Sequence, residues 1–313
     1  MLGVSMQKTF KTIDEQIQIL KDKGLVIEDE NYAKEILLRE NYFFISGYRH
    51  LFLDGLRSKR FKPGTNFREL YAMFNFDRQL RNIIFKNLLI IENNMKSIFS
   101  YQLSKNYGFK EKDYLKPSNF NTNPEKSRQV NDLLRKIKRQ IRVNGGQHSA
   151  TTHYIYNYGY IPLWIVVKVL SFGIVCELYS IMKPKDQNEI AEVFGMRVND
   201  LLSYLPILAN YRNLCAHEDI LYDNRTAVNI ETTKYHTMLE LPMMDDEYTC
   251  GKNDLFALII IMKTLLWEDE FRLLIKEIDY EKSILSGKLQ VLDIEDVMGH
   301  MGFPKNYTEL INM

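Results

Sequence analysis

The chain has 313 residues, 45% hydrophobic and 26% charged, which excludes a disordered or collagen-like chain and predicts a packed core, in one large domain or a core with smaller flanking units. Lysine and arginine number 41 against 40 acidic residues, a formal net charge of +1, so no global field draws in nucleic acid or an anionic membrane and any RNA binding must use a local patch. The three cysteines, Cys176, Cys215 and Cys250, are too few and too scattered for a disulfide framework or a four-ligand zinc site, and a reducing cytosol fits them best.

In chain order, Thr12 followed by Glu15 is a capping-box signature, and Ile13, Ile17 and Leu20 continue at helical spacing until Gly24 supplies a stop. The opening residues lack the basic segment, apolar run and cleavage site of a signal peptide. A second helical pattern runs from near Asp29 through Ile36 and Leu37 into the aromatic segment NYFFISGY, where Gly47 marks a break. Tyr42, Phe43, Phe44 and Tyr48 are expected mainly in the core, with base stacking as the alternative. After Lys62-Pro63-Gly64, the apolar residues Leu70, Phe74, Leu80, Ile84, Leu88, Ile91, Met95 and Ile98 mark the strongest helix of the chain.

Gly108 and residues 116–126 then predict a break and a loop. Residues 126–142 carry Lys126, Arg128, Arg135, Lys136, Lys138, Arg139 and Arg142 against one acid, Asp132, and end at Asn144-Gly145-Gly146. This is a basic helix, read as a solvated face, with an RNA contact surface as the alternative. One apolar stripe, from Leu163 after Pro162 to Ile181 before Lys183-Pro184, predicts a single helix. Another helix starts near Asn199 or Asp200 and carries Leu201, Leu205 and Leu208 into residues 211–225. A last, all-round apolar helix spans Asp254 through Leu265 to Trp267, with a short helical tail at Ile294 to Met301. Trp164 and Trp267 are read as packing residues. No hairpin pattern, internal repeat or span of the ~20 apolar residues needed to cross a bilayer is visible, so the class is all-α.

Residues 212–217, Arg212-Asn213-Leu214-Cys215-Ala216-His217, put a permanent cation, an amide and an imidazole at a helix end. A guanidinium suits the charge growing on a pentacoordinate phosphate, and a histidine can take or give a proton near neutrality. Asn213 and His217, four apart, share a helical face, whereas Arg212 and His217 diverge by roughly 140° on a regular helix. Arg212 must therefore reach round, or a second copy of the chain completes the site. A looser match, Arg142 to His148, lies in a Gly-rich stretch and is given little weight. The remaining histidines lack the paired spacing of metal ligands, and neither a metal nor an organic cofactor is expected.

This RN-x-x-AH wording resembles the HEPN ribonuclease motif. YFFISGY at 42–48, FDRQLR at 76–81, IEN at 91–93, LSKNYG at 103–108 and IPLWIVVKVLSFG at 161–173 resemble, in order, the Abi (abortive infection) family. The resemblance implies a HEPN-like helical bundle and metal-independent RNA cleavage leaving a 2′,3′-cyclic phosphate. It further implies a homodimer acting as a toxin in phage defence, restrained by an RNA or protein antitoxin. Arg212 would stabilise phosphate charge, Asn213 orient the site and His217 act as general acid or base. Relatives often carry arginine four residues after the glutamate of the long helix; here Glu92 is followed by Lys96, which keeps the charge and loses the bidentate fork.

The resulting organisation is a helical unit at 1–66, a core at 67–225 and a C-terminal region at 226–313, in a cytoplasmic protein without a membrane segment. Glu92 and Lys96, at i, i+4 spacing, predict a supporting ion pair. Arg135, Lys136, Lys138, Arg139, Arg142 and Lys96 are the candidate RNA contacts. A non-catalytic RNA-binding or protein-interaction module, or a helical scaffold in which Arg212 and His217 only offset a helix C-terminus, are the competing readings.

Overall fold

In the computed structural model, which describes residues 9–55 and 57–313, the first helix opens as its capping box requires. The Glu15 N–H donates to the Thr12 hydroxyl at 3.3 Å, and the Thr12 N–H donates to the Glu15 carboxylate at 2.8 Å. The expectation about a targeting signal falls partly on residues 1–8, outside the described residues. Helix α1 (Ile13–Asp22) is followed by α2 (Glu30–Glu40), capped by Asp29, and α3 (Tyr42–Gly47). The predicted continuous second helix is thus broken at Asn41, which adopts φ 67° and caps α3 through its side chain. Asparagine tolerates this left-handed backbone because its short amide bonds locally.

The long helix is α4 (Phe67–Tyr107), capped by Asn66 and stopped at Gly108 with φ 91°. At 41 residues it is about 60 Å long, and the helices at Leu163–Val169, Phe172–Ile181, Pro184–Val193, Val198–Ala216 and Glu268–Ser286 all pack on it. After α5 (Glu111–Tyr114) come the basic helix α6 (Pro124–Asn144) and α7 (Ser149–Tyr158). The single apolar helix expected after Pro162 is two, α8 (Leu163–Val169) and α9 (Phe172–Ile181), separated by extended backbone at Leu170 and Ser171. The apolar stripe hides this break because both pieces are rich in buried apolar residues, although α8 packs mainly on α4 and α9 mainly on α6 and the helix that ends at Ala216.

Helices α10 (Pro184–Val193), α11 (Val198–Ala216) and α12 (Lys234–Met238) follow. A two-residue antiparallel ladder pairs Met243 with Tyr248 and Met244 with Glu247 around Asp245 and Asp246, both left-handed. It corrects the expectation of no hairpin, but the class stays all-α. Helix α13 (Leu255–Leu265) is buried as predicted, and α14 (Glu268–Ser286) and α15 (Ile294–His300) complete the helices. Trp267 lies between α13 and α14 and is 76% exposed, so it is not a packing residue. No helix among the described residues is long and apolar enough to cross a membrane.

One core cluster runs from Ile17 to Leu310 and includes residues from both flanking regions. His236 is sealed within it: its Nδ1 accepts from the Thr233 N–H at 3.1 Å and its Nε2 donates to the Gly251 carbonyl at 2.9 Å. At the surface, Asp223 joins three parts of the chain, with His50 Nδ1 at 3.2 Å and His300 Nε2 at 2.7 Å from its two oxygens.

Candidate functional site

Helix α11 carries the Arg-Asn-x-x-x-His segment and ends at it. Glu218 turns left-handed with φ 58°, letting the Asp219 N–H reach the Leu214 carbonyl at 3.1 Å and the Glu218 N–H reach that of Cys215 at 3.4 Å. This is a Schellman end with glutamate where glycine is usual. The helix ends where the sequence reading puts it, but without the glycine that usually marks such a stop.

The segment that follows is locked to the first half of α4. Asp77 accepts the N–H groups of Leu221 at 3.1 Å and Tyr222 at 2.7 Å and the Tyr48 hydroxyl at 2.7 Å, and it pairs with Arg81. Arg81 also donates to the Tyr48 oxygen at 2.9 Å and the Asp219 carbonyl at 3.3 Å. Asp77 and Arg81 are buried, and burial pushes the Tyr48 phenol up. Thus the 42–48 and 76–81 segments meet the turn after His217, and Tyr48 is core as expected. Phe43, at 75% exposed, and Phe44, at 42%, are not.

One helical turn before His217, Arg212 reaches the other half of α4. Its Nε donates to Glu92 Oε2 at 3.1 Å, while Lys96 Nζ donates to Glu92 Oε1 at 2.7 Å. The predicted Glu92–Lys96 pair is present, and Arg212 joins it. The Glu92 carboxylate is buried, whereas the Arg212 side chain stays 28% exposed, with its guanidinium carbon 5.9 Å from the Phe85 ring centre. Among the described residues no bond engages the Nη groups of Arg212, which leaves that edge of its guanidinium available.

Asn213 and His217 lie exposed at the same helix end, and among the described residues neither side chain has a hydrogen-bond partner. Arg212 turns to α4 and His217 to solvent, as the helical divergence requires; no bond within one chain links them. Cys215, inside the motif, is buried, and burial pushes its thiol up to about 12, so it packs as a protonated thiol.

The basic helix is partly neutralised. Arg135 pairs with Asp132, and Lys136 with Glu177 at 2.8 Å. Lys138, Arg139 and Arg142 remain exposed, and Lys138 lines a groove with Lys112 and Lys116. The patch is therefore smaller than the sequence suggests.

A cleft of about 440 Å³ opens beside Glu92 and Lys96. Asn93, Ser97 and Ser100 of α4 line it, facing Trp164, Val167 and Lys168 of α8 and His148 at the start of α7. Trp164 is exposed, correcting its reading as a packing residue. His148 Nδ1 accepts from the Ala150 N–H at 3.2 Å, so Nε2 is the free nitrogen. The discounted Arg142–His148 match contains this histidine, and Trp164 and Lys168, four apart on α8, are the other signal the sequence held.

A model of the protein family described as Abi-like protein matches residues 35–223, more than half of the chain. No curated protein and no solved structure matches it.

Proposed function

The chain belongs to the Abi-like protein family, and on that premise we propose that it is a HEPN-type endoribonuclease acting in abortive infection, as a phage-defence effector. The observation that carries this reading is the placement of Arg212. It is oriented by Glu92 through one nitrogen, with its fork available, on the helix whose exposed end bears Asn213 and His217.

The chemistry is in-line attack of a ribose 2′-hydroxyl on the adjacent phosphate, breaking the bond to the 5′-oxygen and leaving a 2′,3′-cyclic phosphate. Arg212 offsets the charge on the phosphorane. His217 takes the 2′-hydroxyl proton or protonates the leaving oxygen, and Asn213 orients the scissile nucleotide. One histidine cannot both accept and donate in a single concerted step, and a symmetric dimer supplies a second His217 and a second Arg212. A nuclease of this kind requires restraint in healthy cells, and an RNA or protein antitoxin is the corresponding partner.

A second reading draws on the same ion pair: Arg212 bound to Glu92 is also what a structural arginine does, and the module would then bind RNA or a protein without cutting. Purified wild type, His217→Ala and Arg212→Ala, incubated with RNA in EDTA and analysed for fragment ends, separate the two. We expect cyclic-phosphate ends from wild type and a loss of at least about 100-fold in both variants. Binding without cutting by all three would leave the non-catalytic module.

A further inference from the structure

The two ends of the cleft between α4 and α8 have different chemistry. On one wall Trp164 is 43% exposed, and Phe109 packs on it at 5.6 Å between ring centres with 32° between planes, which steadies the indole without covering it. Lys168 stands one turn further along the same exposed face of α8. On the other wall, Glu92 has one oxygen on Lys96 and the other on Arg212, which does not itself line the cleft, so its charge is balanced and the lining keeps a net positive character from Lys96 and Lys168. Between the walls, Asn93 and Ser97 present amide and hydroxyl groups, and His148 presents its free Nε2.

We propose that this cleft holds one unpaired nucleotide of a single-stranded RNA, its base stacked on Trp164 and its phosphate between Lys96, Lys168 and His148. An aromatic plane beside cations is how proteins grip single strands. The volume of about 440 Å³ falls within the range of roughly 300–1,000 Å³ typical of small-ligand sites. A base inside an A-form duplex has no face to offer a side chain, so the cleft selects a splayed base and hence unpaired RNA. The Asn93 and Ser97 groups reach the base edge. Because Glu92 joins the cleft to Arg212, the gripped nucleotide lies one carboxylate away from the phosphate-binding fork, which sets the substrate class of the proposed nuclease. The inference rests on RNA being the ligand of this chain; it does not require that the RNA be cut.

The test uses Trp267→Phe, which leaves Trp164 as the sole indole, and a 2′-O-methyl oligoadenylate, which this chemistry cannot cleave. We expect saturable quenching of Trp164 fluorescence. By anisotropy of the labelled oligomer, binding should weaken about tenfold or more in Trp164→Ala and in Lys168→Glu, and remain close to wild type in Trp164→Phe. Anisotropy binding without quenching, no binding at all, or equal quenching by a matched duplex would overturn the proposal. Cleavage of unmodified RNA, scored separately in EDTA, tells the two readings apart: cutting without quenching removes only the cleft, and quenching without cutting removes only the nuclease.

Discussion

Helix α4 carries two acid–base pairs at the same i, i+4 spacing, Asp77–Arg81 and Glu92–Lys96, and each receives a partner from the α11 region, yet they differ in what surrounds them. The carboxylate of Asp77 accepts from two backbone N–H groups, a tyrosine and an arginine, and both members of the pair are buried. The carboxylate of Glu92 accepts only from two cations; Lys96 and Glu92 itself line a cleft, and Arg212 stands behind the carboxylate, partly exposed. A buried polar group whose partners are complete can only hold the fold in place. A buried carboxylate that orients cations with donors to spare can hold them for a ligand. The same motif of charges serves as a bolt in the first half of the helix and, in the proposed function, as a hand in the second.

The largest effect should come from the sealed pair. Asp77→Ala leaves the Arg81 charge buried without its counter-ion, and urea denaturation should show a loss of about 3–5 kcal/mol; a loss below about 1 kcal/mol would erase the contrast. At the open pair, Glu92→Gln should cost about 1 kcal/mol while lowering RNA cleavage about tenfold, since Arg212 is no longer held by a charge-assisted bond. An equal loss of stability in the two variants, with cleavage untouched, would make Glu92 another bolt.

Glu218 tests the turn that separates the two centres. Its φ of 58° is one that glycine adopts freely, so Glu218→Gly should stabilise by about 1 kcal/mol, read as a raised denaturation midpoint. Destabilisation would mean that the glutamate side chain holds the turn.

His236 extends the comparison to a third sealed group. Burial lowers its pKa below the ordinary value of 6.5, so the folded state favours the neutral ring. Its contribution is present above 6.5 and is lost as pH falls from there through the depressed folded value. Denaturation midpoints of His236→Gln should therefore fall less steeply than those of wild type on acidification below 6.5; parallel curves would remove the histidine from the acid response.

Local signals made part of this legible in advance. Thr12 and Glu15 sit three apart and cap α1 as that spacing implies, and the apolar period from Leu70 to Ile98 found α4 because one face of it is core throughout. Helix α14, not recognised from the sequence, carries Phe271, Leu274, Ile275 and Ile278 at the same period, but its charged exposed face dilutes the signal beside the apolar α13. The break at Leu170 and Ser171 contains neither glycine nor proline, and tertiary packing alone divides α8 from α9. At the site, the Glu92–Lys96 pair is a property of one helix and could be read. Its bond to Arg212 spans 120 positions of sequence, and no spacing rule reaches that far. The cleft likewise depends on α8 packing against α4 with Trp164 left exposed, an arrangement between distant segments that no local spacing fixes.

Asp223, the last residue of the family match, is also where His50 and His300 meet. The border drawn by sequence kinship is therefore not a border of the folded object. A fragment trimmed to residues 35–223 would release one oxygen of this carboxylate six positions after His217, and strip α13 and α14 from α11 and α4. The apolar flank of α4 would then be laid open to self-association. Minimal fragments would thus report on aggregation before they reported on RNA, and dissecting this protein calls for point changes within the intact chain.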